Sequence, residues 1–136
     1  MISDIDQYVA IADESSDLKE SITKYNAEDF NSDIINNMTY YELRDSEDKI
    51  YRIITDLITV DEIPYYYEFY YKNSDVVFSR IVELSKSGSD TLMNSRYYFS
   101  DSKLIKQIDQ KEKNMESETV KQLSEFYFVF GNDRID

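Results

Sequence analysis

Carboxylates and phenols are the reactive side chains this chain holds in number: 28 Asp and Glu and 13 Tyr in 136 residues, with no His and no Cys. That inventory removes most chemistries at once. Without imidazole there is no histidine base and no His-ligated metal; without thiols there is no cysteine nucleophile, zinc knuckle, iron–sulfur cluster or disulfide. The two glycines, Gly88 and Gly131, are too few for a dinucleotide fingerprint or a phosphate-cradling loop. Carboxylate pairs such as Asp56 with Asp61 or Glu62 are the remaining route to acid–base catalysis, but it needs a cleft that splits their pKa values. A solvated surface is the simpler expectation. Asp45-Ser46-Glu47-Asp48 offers oxygen ligands, yet lacks the glycine and terminal glutamate of a calcium loop and reads as a hairpin turn. No catalytic, metal-binding or cofactor-binding residue is assigned, and no cofactor is expected.

The tyrosines point to recognition instead. In Tyr65-Tyr66-Tyr67-Glu68-Phe69-Tyr70-Tyr71-Lys72, alternation puts Tyr65, Tyr67, Phe69 and Tyr71 on one face and Tyr66 and Tyr70 on the other, so both sides of the strand are aromatic. One side packs on the core. The other is either covered as well or left as a platform for a partner, and Tyr66 and Tyr70 are then the candidate partner-binding residues. Single-strand binders stack bases on such a sheet, but they also need a basic groove.

The elements that carry these residues follow from local pattern. Turn residues at Asn73-Ser74-Asp75, Asp45-Ser46-Glu47-Asp48 and Ser100-Asp101-Ser102 each separate two strand-like runs. Ser46, Ser74 and Ser102 recur every 28 residues, each with a Tyr-Tyr pair before it and Arg52, Arg80 or Lys106 after it. Three hairpins, and hence six antiparallel strands near 39–44, 49–58, 65–72, 76–85, 95–100 and 103–109, are predicted. Ile5, Val9 and Ala12 mark an N-terminal helix with Ser3 as its cap, interrupted at Ser15-Ser16-Asp17; Leu18, Ile22 and Tyr25 continue at helical spacing, with Asp17 and Glu20 placed like a capping box, though this second piece also reads as extended chain. Val120, Leu123, Tyr127 and Phe130 mark a C-terminal helix over 116–130, with Gly131 as its terminating residue. The run 126–130 also reads as a strand. The expectation is a single α+β domain over 1–136: a helical acidic part at 1–30, an antiparallel sheet at 39–109 and a terminal helix packing it. Tyr51, Ile53, Leu57, Tyr67, Phe69, Phe78, Leu104, Val9 and Leu123 form the predicted core.

Charge is lopsided. Residues 1–48 hold 13 acids and three bases, the stretch 49–115 is neutral, and the whole chain carries −13. Binding through nucleic-acid phosphates is disfavoured by that balance. The acidic third reads as a solubilising surface, as a steering patch for a basic protein partner, or as a mimic of nucleic acid. No apolar run reaches the length of a bilayer span, and residues 1–20 do not form a signal peptide. Met1 fits either a native start or a start placed after a removed leader.

Two strings, Tyr97-Tyr98-Phe99-Ser100-Asp101-Ser102-Lys103-Leu104-Ile105-Lys106 and Phe69-Tyr70-Tyr71-Lys72-Asn73-Ser74-Asp75-Val76-Val77-Phe78, resemble hairpins of small exported, often lipoprotein-like, bacterial proteins of unknown function common in Bacteroidetes-type genomes. The likeness spans about residues 1–125. It implies an N-terminal helix ahead of a curled meander, and a periplasmic or cell-surface location; a cytoplasmic one holds if no leader was removed. It brings no catalytic residues. Two functional expectations result: a non-enzymatic binding or accessory domain that meets a protein or a neutral ligand through its sheet, or an acidic inhibitor or immunity protein that blocks the basic site of a toxin, nuclease or defence enzyme.

Overall fold

A computed structural model describes residues 2–30 and 33–133; Met1 lies outside them. The chain is α+β. Helix α1 (Ile2–Glu14) is followed by strand β1 (Lys19–Asn26), a short helix α2 (Ala27–Phe30), and strands β2 (Ile35–Arg44), β3 (Ile50–Thr59), β4 (Pro64–Lys72), β5 (Asp75–Leu84), β6 (Thr91–Ser100) and β7 (Lys103–Asp109), then helix α3 (Ser117–Asp133). The seven strands form one antiparallel sheet in sequence order.

The six-strand expectation is corrected by β1. Residues 19–26 pair along β2, from Lys19 opposite Arg44 to Asn26 opposite Asn37. As an edge strand that is exposed along most of its length, β1 has little need of an apolar alternation. The Glu20 carboxylate, expected to cap a helix, instead pairs with Arg52 at 2.6 Å. Ser3 lies inside the first turn of α1, which begins at Ile2. The segment 126–130 is helical, because α3 continues to Asp133. Gly131 is inside that helix, not beyond it: a Cβ there would lie 2.6 Å from the Tyr40 hydroxyl and 2.9 Å from Glu42, so the glycine serves close approach to β2.

The hairpins share a device. In β2–β3, β4–β5 and β6–β7 the register shifts at Leu43/Arg44, Tyr70/Tyr71 and Tyr98/Phe99, just before the turn. The extra residue on the returning strand is Tyr51, Val77 or Ile105. Bulges of this kind bend and twist a strand, and here the device recurs in three hairpins. Two of the turns are two-residue links in which every central residue is left-handed without being glycine: Asn73 (φ 53°) and Ser74 (φ 72°), and Asp101 (φ 51°) and Ser102 (φ 63°). Such turns match strand twist, but the left-handed region costs a side-chain-bearing residue about 1 kcal/mol. Ser74→Gly and Ser102→Gly are each expected to raise stability by about 0.5–1 kcal/mol, checked by the urea midpoint.

One sheet face packs on α3. Met38, Tyr40, Ile53, Leu57, Tyr67, Phe69, Tyr71, Ile81, Met93, Tyr97 and Phe99 meet Val120 and Tyr127 there. The phenols reach backbone carbonyls of α3 and of the segment leading into it: Tyr71 donates to Ser124 at 2.6 Å and Tyr97 to Met115 at 2.5 Å. Of the expected core, Ile53, Leu57, Tyr67, Phe69 and Phe78 are buried. Val9, Tyr51 and Leu123 are half-buried. Leu104 is 38% exposed, on the edge strand β7.

Burial holds these phenols neutral. Tyr127 is pushed up to about 12, and Tyr67 and Tyr71 rise as well, desolvation leading in each case. An unfolded chain ionises its tyrosines near 10.0. The stabilising contribution is therefore complete below pH 10 and is lost as the pH climbs toward 12 and beyond, at about 1.4 kcal/mol per pH unit for each group. A cooperative alkaline unfolding in that window, with phenolate absorbance rising in step with loss of ellipticity, is expected. Phenolate appearing at these buried positions while the fold persists would contradict the packing.

Candidate functional site

Cross-strand register sorts the opposite sheet face into rows. The first runs Leu43, Arg52, Tyr70, Phe78, Tyr98, Lys106 from β2 to β7. The second runs Ile22, Tyr41, Ile54, Glu68, Arg80, Arg96, Ile108 from β1 to β7. The third runs Lys24, Thr39, Asp56, Tyr66, Val82, Asn94 from β1 to β6.

Helix α1 lies over the aromatic part of the first row. Its buried residues Ile5 and Ala12 pack on Tyr70, Phe78 and Tyr98, whose rings are edge-on at 5.8 Å (Tyr70–Phe78) and 5.1 Å (Phe78–Tyr98). Acids of the N-terminal third then fasten the helix. Tyr98 donates to Asp6 at 2.8 Å and Tyr70 to Asp13 at 2.6 Å. Arg52 bridges Asp13 and Glu20, each at 2.6 Å. Tyr8 donates to the Tyr71 carbonyl at 2.5 Å and stacks on Tyr51, and its phenol is pushed up to about 12, chiefly by burial. Part of the acidity that reads as solubilising or steering is thus structural.

The two candidate tyrosines part company here. Tyr70 is 2% exposed under α1, so it is not a free contact residue. Tyr66 is half-buried in the third row, outside the cluster that α1 covers. Its hydroxyl donates to Glu68 at 2.8 Å, and the Arg80 guanidinium lies over its ring, 5.9 Å from the centroid. Burial foremost, and then the Glu68 carboxylate, raise the Tyr66 phenol well above its usual range, so it is a neutral donor. Nothing in the sequence pattern separates Tyr66 from Tyr70; the extent of α1 does.

Arg80 and Arg96, which the sequence reading left out of the site, stand beside Tyr66. They are directly opposite each other across β5–β6. Arg80 Nε donates to the Asn94 side chain at 3.3 Å, and Asn94 in turn donates to Gln110 at 2.8 Å. Arg96 is exposed. The signal that could have found the pair is register: with Asn73-Ser74 and Asp101-Ser102 taken as turns, both arginines fall on the Tyr66 face.

Of the carboxylates weighed for catalysis, Asp56 is opposite Tyr66 on this face, raised by desolvation. Asp61 and Glu62 are in the β3–β4 turn, where Glu62 has φ 65°. Asp45 uses its carboxylate on the turn backbone, accepting from Glu47 N at 2.9 Å and Lys49 N at 3.0 Å. Among the described residues no helix is long and apolar enough to cross a membrane. Comparison with family models, with curated proteins and with solved structures finds no match.

Proposed function

We propose that this chain is a non-enzymatic binding domain that meets a partner protein through the part of the sheet face beside α1, centred on Tyr66. The observation that carries the reading is the partial cover of that face: α1 packs on one aromatic row and leaves a neighbouring surface on which Tyr66 and two arginines are grouped. Tyrosine and arginine are the residue types most enriched where binding energy concentrates. Tyr66 is held by its Glu68 bond and by Arg80, so little side-chain freedom remains to be lost on contact. The rigid sheet supports the surface and α1 forms a shoulder along it.

Tyr66→Ser is expected to weaken the partner complex about thirtyfold, the mark of an energetically central residue at about 2 kcal/mol, while the melting midpoint changes little. Tyr70→Ser acts differently: it strips a phenol from Asp13 and lowers the melting midpoint. Photo-crosslinking from position 66, followed by affinity measurement on the recovered partner, checks both. Unchanged affinity in a folded Tyr66→Ser variant would discard the reading.

A further inference from the structure

Arg80 and Arg96 form a cross-strand pair of like charges in a chain of net charge −13. Directly opposed like charges on a sheet are destabilising, and acids to separate them are abundant in this sequence. The acid opposite Arg80 on β4, Glu68, accepts the Tyr66 hydroxyl and forms no ion pair with either arginine. The ion pairs of the described residues involve Arg44, Arg52 and Lys113. Neither Arg80 nor Arg96 is among them.

The pair is also half-organised. The Arg80 guanidinium is fixed from two sides, by the Tyr66 ring beneath it and by its Nε bond to Asn94, which is itself tied to Gln110. This leaves the terminal nitrogens of Arg80 as a fork of donors held in place. Arg96, exposed beside it, brings a second fork. Two planar donor forks on neighbouring strands match an oxyanion, and arginine recognises carboxylates bidentately.

We propose that Arg80, held by Tyr66 and Asn94, and the exposed Arg96 opposite it form a carboxylate-recognition site that receives an acidic side chain of the partner protein. The assignment rests on the binding reading above and names what this surface takes. A single carboxylate suits the surroundings better than a polyanion does: Glu68 and Asp56 lie in the same two rows, and the chain's overall charge repels a phosphate backbone.

The test follows the arginine Nε–Hε resonances of the intact, isotope-labelled chain during titration with glutarate, with inorganic phosphate, and with sodium chloride at matched ionic strength. Glutarate is expected to move Arg80 and Arg96 saturably. Arg44 and Arg52, already engaged by Glu42 and by Asp13 and Glu20, should stay in place. Arg96→Gln should weaken glutarate binding about tenfold, the loss expected for a charged hydrogen bond, and should leave the melting midpoint unchanged or raised, since the like-charge pair is gone. Equal shifts from chloride, no saturable shift, or undiminished glutarate affinity in Arg96→Gln would overturn the assignment. So would saturation by phosphate alone, which would make the site one for phosphoryl groups. The partner assay separates the two readings. Capture that is sensitive to Tyr66→Ser but indifferent to Arg80→Gln and Arg96→Gln removes the carboxylate site and keeps the binding face. Glutarate binding with no Tyr66-dependent partner does the reverse.

Discussion

Phe69→Ala should cost about 3–5 kcal/mol, the usual range for emptying a buried aromatic position. Phe69 is fully buried at the centre of β4, with ring centroids 6.2 Å from Tyr67 and 5.8 Å from Tyr127 of α3. Its neighbours are fixed from both sides: Tyr67 is in the same strand, and Tyr127 donates to the Met38 sulfur at 3.7 Å across the helix–sheet interface. The space left behind therefore closes poorly, which puts the loss toward the upper end. Urea unfolding should show a lower midpoint with an unchanged slope. A loss of under about 1 kcal/mol, taken from the midpoint shift and the slope, would mean that α3 does not press on this face.

A loss of similar size, about 3–5 kcal/mol, is expected for Arg44→Met, through charge and not volume. Glu42 is 5% exposed, on the α3 side of β2. Its carboxylate accepts the Tyr40 hydroxyl at 2.6 Å and pairs with the Arg44 guanidinium. Arg44 also donates to the carbonyls of Asp48 and, at 2.7 Å, of Gly131. This one side chain thus joins a buried charge, the β2–β3 turn and the end of α3, and Gly131 has no side chain that would hold the helix away. Methionine keeps most of the length and deletes the cation beside the buried Glu42 carboxylate. Adding Glu42→Gln should return most of the lost stability, because the amide oxygen still accepts from Tyr40 and the buried carboxylate beside the missing cation is replaced by a neutral amide. A double variant as unstable as Arg44→Met alone would show that packing, not charge, is what Arg44 provides.

The hairpins were legible because two local signals agree at each: alternation on both flanks and turn chemistry between. β1 stayed open between helix and extended chain, because Leu18, Ile22 and Tyr25 satisfy a helical spacing and an edge strand, exposed along most of its length, imposes no competing pattern. The run Phe126–Phe130 was ambiguous for a different reason. Tyr127 is buried against the sheet while Phe126 and Val129 are each 57% exposed, so apolar residues surround the helix and blur its period. At the candidate site, alternation put Tyr66 and Tyr70 on the face opposite the main core, but how far a helix extends over a sheet is a tertiary fact. The arginine pair needed strand register, which turn positions supply and composition does not.

The order of the strands bears on how the chain is made. Each strand pairs with the one before it, so loop closure stays short throughout and the sheet can lengthen hairpin by hairpin as the polypeptide emerges. Helix α3 comes after all seven strands, however, and it packs on the broad apolar face of Tyr67, Phe69, Tyr71 and Tyr97. A nascent chain that has finished β7 thus displays a zipped but uncovered sheet until α3 clears the ribosome, and that is the interval in which it is most prone to stick to its neighbours.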